Sequence, residues 1–208
     1  MSAPTTYRGS ITREQWLVDE TRTVARLRLE DSTLLDTRAL AEYILENNLF
    51  QSPTEREVGS IARACARRLD ALSSDPDRRN RLTGLIARGT IEQLRQANLY
   101  ALMCDNRLVW DFMTCVVAGK FSMLDTHLGK AEIAAFLEGL RAQDEHVATW
   151  SPATLNKIRQ VLSHCLEQCG MYDRKTERLS TLLLDYDLEN LMRENGDTGI
   201  LPAFGLAQ

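Results

Sequence analysis

Two runs of side chains have the types and spacing that nucleic-acid chemistry requires. In the first, Thr54, Arg56, Ser60, Arg63 and Arg67 recur on one side of a projected helix, with Arg68 on its flank. In the second, Thr154, Asn156, Lys157 and Gln160 recur in the same way. Guanidinium and ammonium groups pair with phosphate, and Arg, Asn and Gln also bond base edges. Each run follows a Ser-Pro pair, Ser52-Pro53 or Ser151-Pro152, 99 residues apart. Ser caps a helix and Pro suits its first position, while Glu55 completes a capping box. The N-terminal amides of such helices favour phosphate as well. Three alternatives stay open on these residues: duplex DNA binding, RNA binding, or an ordinary solvated face that meets another protein. Glu55 and Glu57 flank Arg56 and oppose phosphate, and the link from Asn48 to Ser52 is long for a tight helix-turn-helix turn.

Other chemistries find less support. Gly84 to Gly89 half-matches a phosphate-binding loop but lacks its lysine, and no strand precedes it. Pro76-Asp77 and Asp173-Arg174-Lys175 would suit a metal-dependent nuclease only on adjacent strands, yet they lie far apart in loop or helical context. Cys165 and Cys169 share a helix face beside His164, but no second ligand pair exists, so both read as core thiols. His127, His146 and His164 are scattered, and Glu20 reads as an ion-pair partner. No catalytic residue, metal site or cofactor is expected, and the chain reads as non-enzymatic.

The elements that must position the two runs are helices. Among 208 residues only 11 are Gly and 5 Pro, too few breakers for a many-turned β protein. Residues 1–11 read as a loose arm, and Thr12 with Gln15 opens a helix to about Leu29 that carries Trp16, Val24 and Leu27 inward. Asp36 opens the next, striped by Leu40, Tyr43 and Ile44, and Asn47 and Asn48 stop it. The helix after Ser52 runs to about Leu72 on Val58, Ile61, Ala62, Cys65, Leu69 and Leu72. Residues 73–80 read as a loop and hinge, followed by a short helix over 81–88. Thr90 with Gln93 opens another, Asn106 to Val117 one more, with Trp110, Phe112 and Met113 as core. Lys130 to Gln143 is amphipathic through Ile133, Phe136, Leu137 and Leu140. The helix after Ser151 buries Leu155, Ile158, Leu162, Cys165, Leu166 and Cys169, and ends at Gly170. Residues 178–185 suit strand or helix, 187–194 a helix, and the end from Gly196 an irregular segment. The expected fold is therefore all-α: a compact multi-helix globular bundle with two helix-turn-helix-like units. It forms one domain over 1–208, or two helical halves, about 12–72 and 81–208, sharing a core.

Composition is compatible with this and narrows the setting. Apolar residues make up 44% and charged residues 26%, ordinary for a globular chain. No apolar run is long enough to cross a bilayer, and Met1 to Arg13 lacks the apolar core of a signal peptide. Five cysteines, an odd number, suit reduced thiols, so the expected location is the cytoplasm, away from membranes. The net charge of −4 opposes nucleic-acid binding, but 55–95 holds nine arginines against six acids.

Short segments add a family resemblance. Tyr7-Arg-Gly-Ser10, Glu46-Asn-Asn-Leu-Phe-Gln51, Arg67-Arg-Leu69, Asp111-Phe112 and Trp150-Ser-Pro-Ala-Thr154, in this order and spacing, resemble the BrxA family of bacteriophage-exclusion (BREX) defence systems. The resemblance spans roughly residues 7–170. It implies an all-α fold with helix-turn-helix elements, binding to double-stranded DNA, and a role beside a methyltransferase and an ATPase. By matching position, the helices after Ser52 and Ser151 become the DNA-reading elements. The alternatives are a protein–protein interaction subunit of the defence complex and an RNA-binding helical protein.

Overall fold

Helix boundaries fall where a short polar side chain precedes an apolar run. The computed structural model describes residues 4–51 and 54–206. In chain order the helices are α1 (Ile11–Glu14), α2 (Val18–Glu30), α3 (Thr37–Glu46), α4 (Glu55–Asp70), α5 (Pro76–Arg88) and α6 (Ile91–Asp105). There follow α7 (Arg107–Asp111), a π-helical turn Phe112–Val117, α8 (Ala118–Ser122), α9 (Lys130–Gln143), α10 (Glu145–Ala148) and α11 (Pro152–Gln168). Strands β1 (Tyr172–Asp173) and β2 (Arg178–Leu179) form an antiparallel hairpin, then come α12 (Tyr186–Glu194) and a 3₁₀ segment Thr198–Phe204. Among the described residues the fold is all-α but for this hairpin.

Several starts are those the residue pattern predicts. Asp36 accepts the amides of Arg38 and Ala39, and Ser151 accepts that of Thr154. Thr90 and Gln93 cap reciprocally, at 2.9 and 3.2 Å. Others differ. Ser52 and Pro53 lie outside the described residues; Thr54 caps α4 by accepting the Glu57 amide at 3.2 Å. Asp75 caps α5 and Pro76 occupies its first turn, so much of the predicted 73–80 loop is helix. The helix expected from Thr12 is broken, because Gln15 (φ 25°) and Leu17 (φ 46°) take positive φ where the chain passes from one unit to the other.

Leu17–Asp105 forms one of two units, and the segment before Leu17 joins the residues from Asn106 onward in the other. The division thus falls at Asp105, and residues 73–80 lie inside the first unit. There, α2 packs on α4 and α5, α3 on α4, and α5 on α6. Leu40, Ile44, Val58, Ala62, Cys65, Leu69, Leu82 and Ile86 are buried between them, each large side chain contributing about 1.5–3 kcal/mol. Tyr43, expected in the stripe, is 40% exposed. Arginines also build this unit. Arg28 is buried, and its guanidinium reaches Asp70 at 2.8 Å and the Leu35 carbonyl at 3.2 Å. Arg22 and Arg26 donate to the Ala87 and Gly89 carbonyls at the end of α5, where cations complement the helix dipole. At the junction of α5 and α6 Gly89 has no room for a side chain, since a Cβ there would collide with the Leu85 carbonyl oxygen and with Gln93.

In the second unit the described part of the predicted loose arm, residues 4–11, is packed at Tyr7 and Ile11, and residues 1–3 lie outside the described residues. Ile11 is fully buried, Tyr7 nearly so, and α1 lies on α11. Phe112 and Met113 are buried as expected, and Trp110 is half-buried. Gly170, at φ 80°, ends α11 by letting the Met171 amide reach the Leu166 carbonyl at 2.8 Å. Residues 196–206 are not irregular throughout: Ile200, Leu201, Ala203 and Phe204 are all fully buried, so apolar burial holds the 3₁₀ segment, which contains Pro202, and residues 207–208 lie outside the described residues.

Candidate nucleic-acid interface

The first unit offers α4. Arg56, Ser60 and Arg63 are exposed along one side, with Thr54 at its cap. The Arg63 guanidinium folds back over Gly59, where an added Cβ would meet Nη1 at 3.3 Å. Two residues of the predicted run do not share this surface. Arg67 is half-buried and grips the buried Asp105 with two bonds, Nε to Oδ1 at 2.9 Å and Nη2 to Oδ2 at 3.2 Å. Arg68 is 0% exposed. A helix turns about 100° per residue, so a single apolar stripe would leave Arg68 on the flank. Here α2, α3 and α6 all pack on α4, and the buried arc widens to take in Ala64, Ala66 and Arg68.

The second unit offers α11. Asn156 and Gln160 are exposed and Lys157 is half-exposed. Thr154 is tied to the cap: its hydroxyl lies 3.0 Å from the Ser151 hydroxyl. Asn156 accepts from Arg159 Nη2 at 2.6 Å. On the other side of the helix Leu155, Ile158, Val161, Leu162, Cys165 and Leu166 are buried. Packing of α9 against this helix holds it in place.

The β1–β2 hairpin follows α11 at once. The Leu128 amide donates to the Glu177 carbonyl at 2.8 Å and the Leu179 amide to that of Thr126 at 2.7 Å, which fastens β2 to the segment before α9. Tyr172 donates its hydroxyl to the Leu128 carbonyl at 2.9 Å, and burial pushes that phenol above its ordinary pKa. Asp173 accepts from the Lys175 amide at 2.8 Å and the Thr176 hydroxyl at 2.9 Å, which hold its carboxyl below the usual range. That carboxylate is engaged in shaping the turn. At its tip, Arg174 reaches back to α11, Nε to Glu167 at 3.0 Å and Nη2 to the Gln160 carbonyl at 3.5 Å.

This arrangement gathers cations that residue spacing does not single out: Lys130, Arg159 and Arg174. The signal was present in Tyr172-Asp-Arg-Lys-Thr-Glu-Arg-Leu179, where turn-forming residues separate two short apolar-ended strands. Cys165 and Cys169 are buried, and among the described residues no group of three His, Cys, Asp or Glu is placed to hold a metal ion. No helix among them is long and apolar enough to cross a membrane.

Comparison with known proteins places these features in context. The family model described as BrxA matches residues 5–196. A protein of Bacillus cereus (strain H3081.97) described as "BREX protein BrxA" is 32% identical over 158 residues, which is 75% of this chain and 76% of that protein. A crystal structure of an uncharacterized protein from Magnetospirillum magneticum superposes with a TM-score of 0.80 at 22% identity, covering 96% of this chain and 98% of that one; it carries the fold alone.

Proposed function

The chain belongs to the BrxA family of BREX phage-defence proteins, and from that premise we propose that it is a non-enzymatic accessory protein that binds double-stranded DNA. It acts in the cytoplasm beside the methyltransferase and ATPase of the defence system. The reading rests above all on α11, a capped helix whose Asn156 and Gln160 project into solvent with Lys157 beside them. In helix-turn-helix recognition the N-terminal residues of the second helix reach base edges in the major groove. Here α9 would cross the backbone and α11 would read. In the first unit α3 and α4 would act in the same way, with Arg56, Ser60 and Arg63 as contacts. Arg67 and Arg68 leave the contact set, since one is held by Asp105 and the other is buried.

Retention of duplex DNA at low salt, with affinity falling steeply as salt rises, is the expected result of a titration. Retention of RNA in preference to duplex DNA would turn the reading toward RNA. One observation favours a second role, contact with another protein of the defence system. Leu124, 91% exposed, lines a groove of about 850 Å³ with Phe121, Leu179, Pro202 and Leu206. Co-purification with a defence component without DNA retention would make that role primary.

A further inference from the structure

A notch of about 220 Å³ lies in the second unit, lined by Lys130, Arg159, Gln160, Ser163, Tyr172 and Arg174. Three separate elements supply its cations: the first residue of α9, the middle of α11 and the hairpin turn. Arg174 is partly neutralised by Glu167 at 3.0 Å. Among the described residues Lys130 and Arg159 pair with no carboxylate; Arg159 bonds only the Asn156 amide oxygen. Glu132, on the same helix as Lys130, turns instead to Lys120 and to the Gly129 amide. The notch is also built rather than incidental. The Tyr172 hydroxyl ties β1 to Leu128, just ahead of Lys130, and Arg174 bonds back to α11.

We propose that this notch holds one phosphate group, a backbone phosphodiester of duplex DNA docked on α11. The inference rests on the DNA-binding reading above and adds to it the hairpin and the start of α9 as a backbone clamp. Size and chemistry select the ligand. Small-molecule sites run to roughly 300–1,000 Å³, above the volume found here, so a single tetrahedral anion fits better than a whole nucleotide. Tyr172, the one aromatic residue lining the notch, is buried with its hydroxyl bonded and offers no open face for a base. Arginine and lysine supply fork and point charge to phosphate oxygens, while the Ser163 hydroxyl is spent on the Arg159 carbonyl at 3.0 Å. Gln160 is common to the notch and to the outward face of α11, so a phosphate held here would set the register of that helix on the duplex.

The test compares the full chain with its Lys130→Ala/Arg159→Ala double variant. Both substitutions are on helices and keep good helix formers, and unchanged thermal unfolding establishes that the fold persists. Labelled duplex is titrated by fluorescence anisotropy over a range of salt. The variant should bind every duplex sequence more weakly, with the slope of log K against log salt reduced by about one, the increment for one phosphate. Arg159→Lys should recover part of the loss. Inorganic phosphate, added at matched ionic strength, should displace duplex from the wild-type chain more readily than from the variant. Wild-type binding with an unchanged slope in the variant overturns the notch and leaves the DNA reading standing. So does equal displacement of both by phosphate. Failure of the wild-type chain to bind any duplex overturns the DNA reading, and the notch with it.

Discussion

The Tyr7 hydroxyl donates to the Asp111 carboxylate at 2.5 Å across 104 residues of sequence. Arg107 completes the group: its guanidinium lies 4.4 Å from the Tyr7 ring centroid, Nε is 3.4 Å from Asp111, and Nη1 donates to the Thr5 carbonyl at 2.8 Å. Two of the short segments that carry the family resemblance thus meet in space. A third joins them, for Gly9 lies beside Trp150, where a Cβ would sit in ordinary contact at 3.5 Å from that ring. These segments form the clasp that ties the start of the chain to α7 and α11.

Tyr7→Phe should therefore destabilise the second unit by about 1.5–3 kcal/mol, the worth of a hydrogen bond to a charged group, with Arg107 still beside the carboxylate. Burial, and then the bond to Asp111, push the Tyr7 phenol to about 12. The folded value lies above the ordinary one near 10, so the clasp is complete below pH ~10 and is lost as pH rises toward 12. Tyrosinate absorbance should show late-titrating phenols, Tyr7 and the buried Tyr172, and Tyr7→Phe should remove the first of them. Its absence, with unaltered unfolding, would contradict the clasp.

On α4 the arginines should separate into two kinds. Arg67→Ala strips the buried Asp105 of a two-bond partner and should cost about 1.5–3 kcal/mol of stability. Arg56→Ala/Arg63→Ala, on the exposed side, should leave unfolding unchanged and reduce the salt slope of duplex binding by up to about two. Thermal melts and binding titrations on the same samples decide this; equal melting losses in both would refute the division.

Along α11, Asn156→Ala and Gln160→Ala should act on discrimination between duplex sequences, by about 1–3 kcal/mol for each base-edge pairing removed. Lys157→Ala should weaken all sequences alike. Competition between a pool of random duplexes before and after substitution measures the difference. An unaltered sequence profile in all three variants would remove α11 as a reading element.

Ahead of α9, Lys120 binds Asp125 at 2.6 Å and also Glu132, and His127 Nδ1 lies 3.2 Å from Glu132. The bonds to Lys120 hold both carboxyls below their usual range, and Lys120 is raised in turn, first by Asp125. For the carboxylates the folded value lies below the unfolded one. Their contribution is present above the ordinary range near pH 4 and is lost as pH falls through the lowered values. Lys120→Met should make the melting temperature less sensitive to acid in that window; identical acid profiles for the two proteins would count against the network.

Read from residues alone, this protein discloses its helices, many of their caps and its family. Asp36, Thr90 with Gln93, Ser151 and Gly170 act within four or five residues of their own position, so local chemistry decides them. The burial of Leu40, Val58 or Leu162 follows from spacing in the same way. Which arginines face solvent is a different matter. Arg67 is engaged by Asp105, 38 residues away, and Arg68 is covered because three helices converge on α4. The hairpin that brings Arg174 to α11 also depends on pairing with residues 126–128, some fifty positions earlier. Such contacts are set by how helices pack, and no spacing within a single element encodes them, so only the tertiary structure could assign each cation to the core, to an ion pair or to the surface.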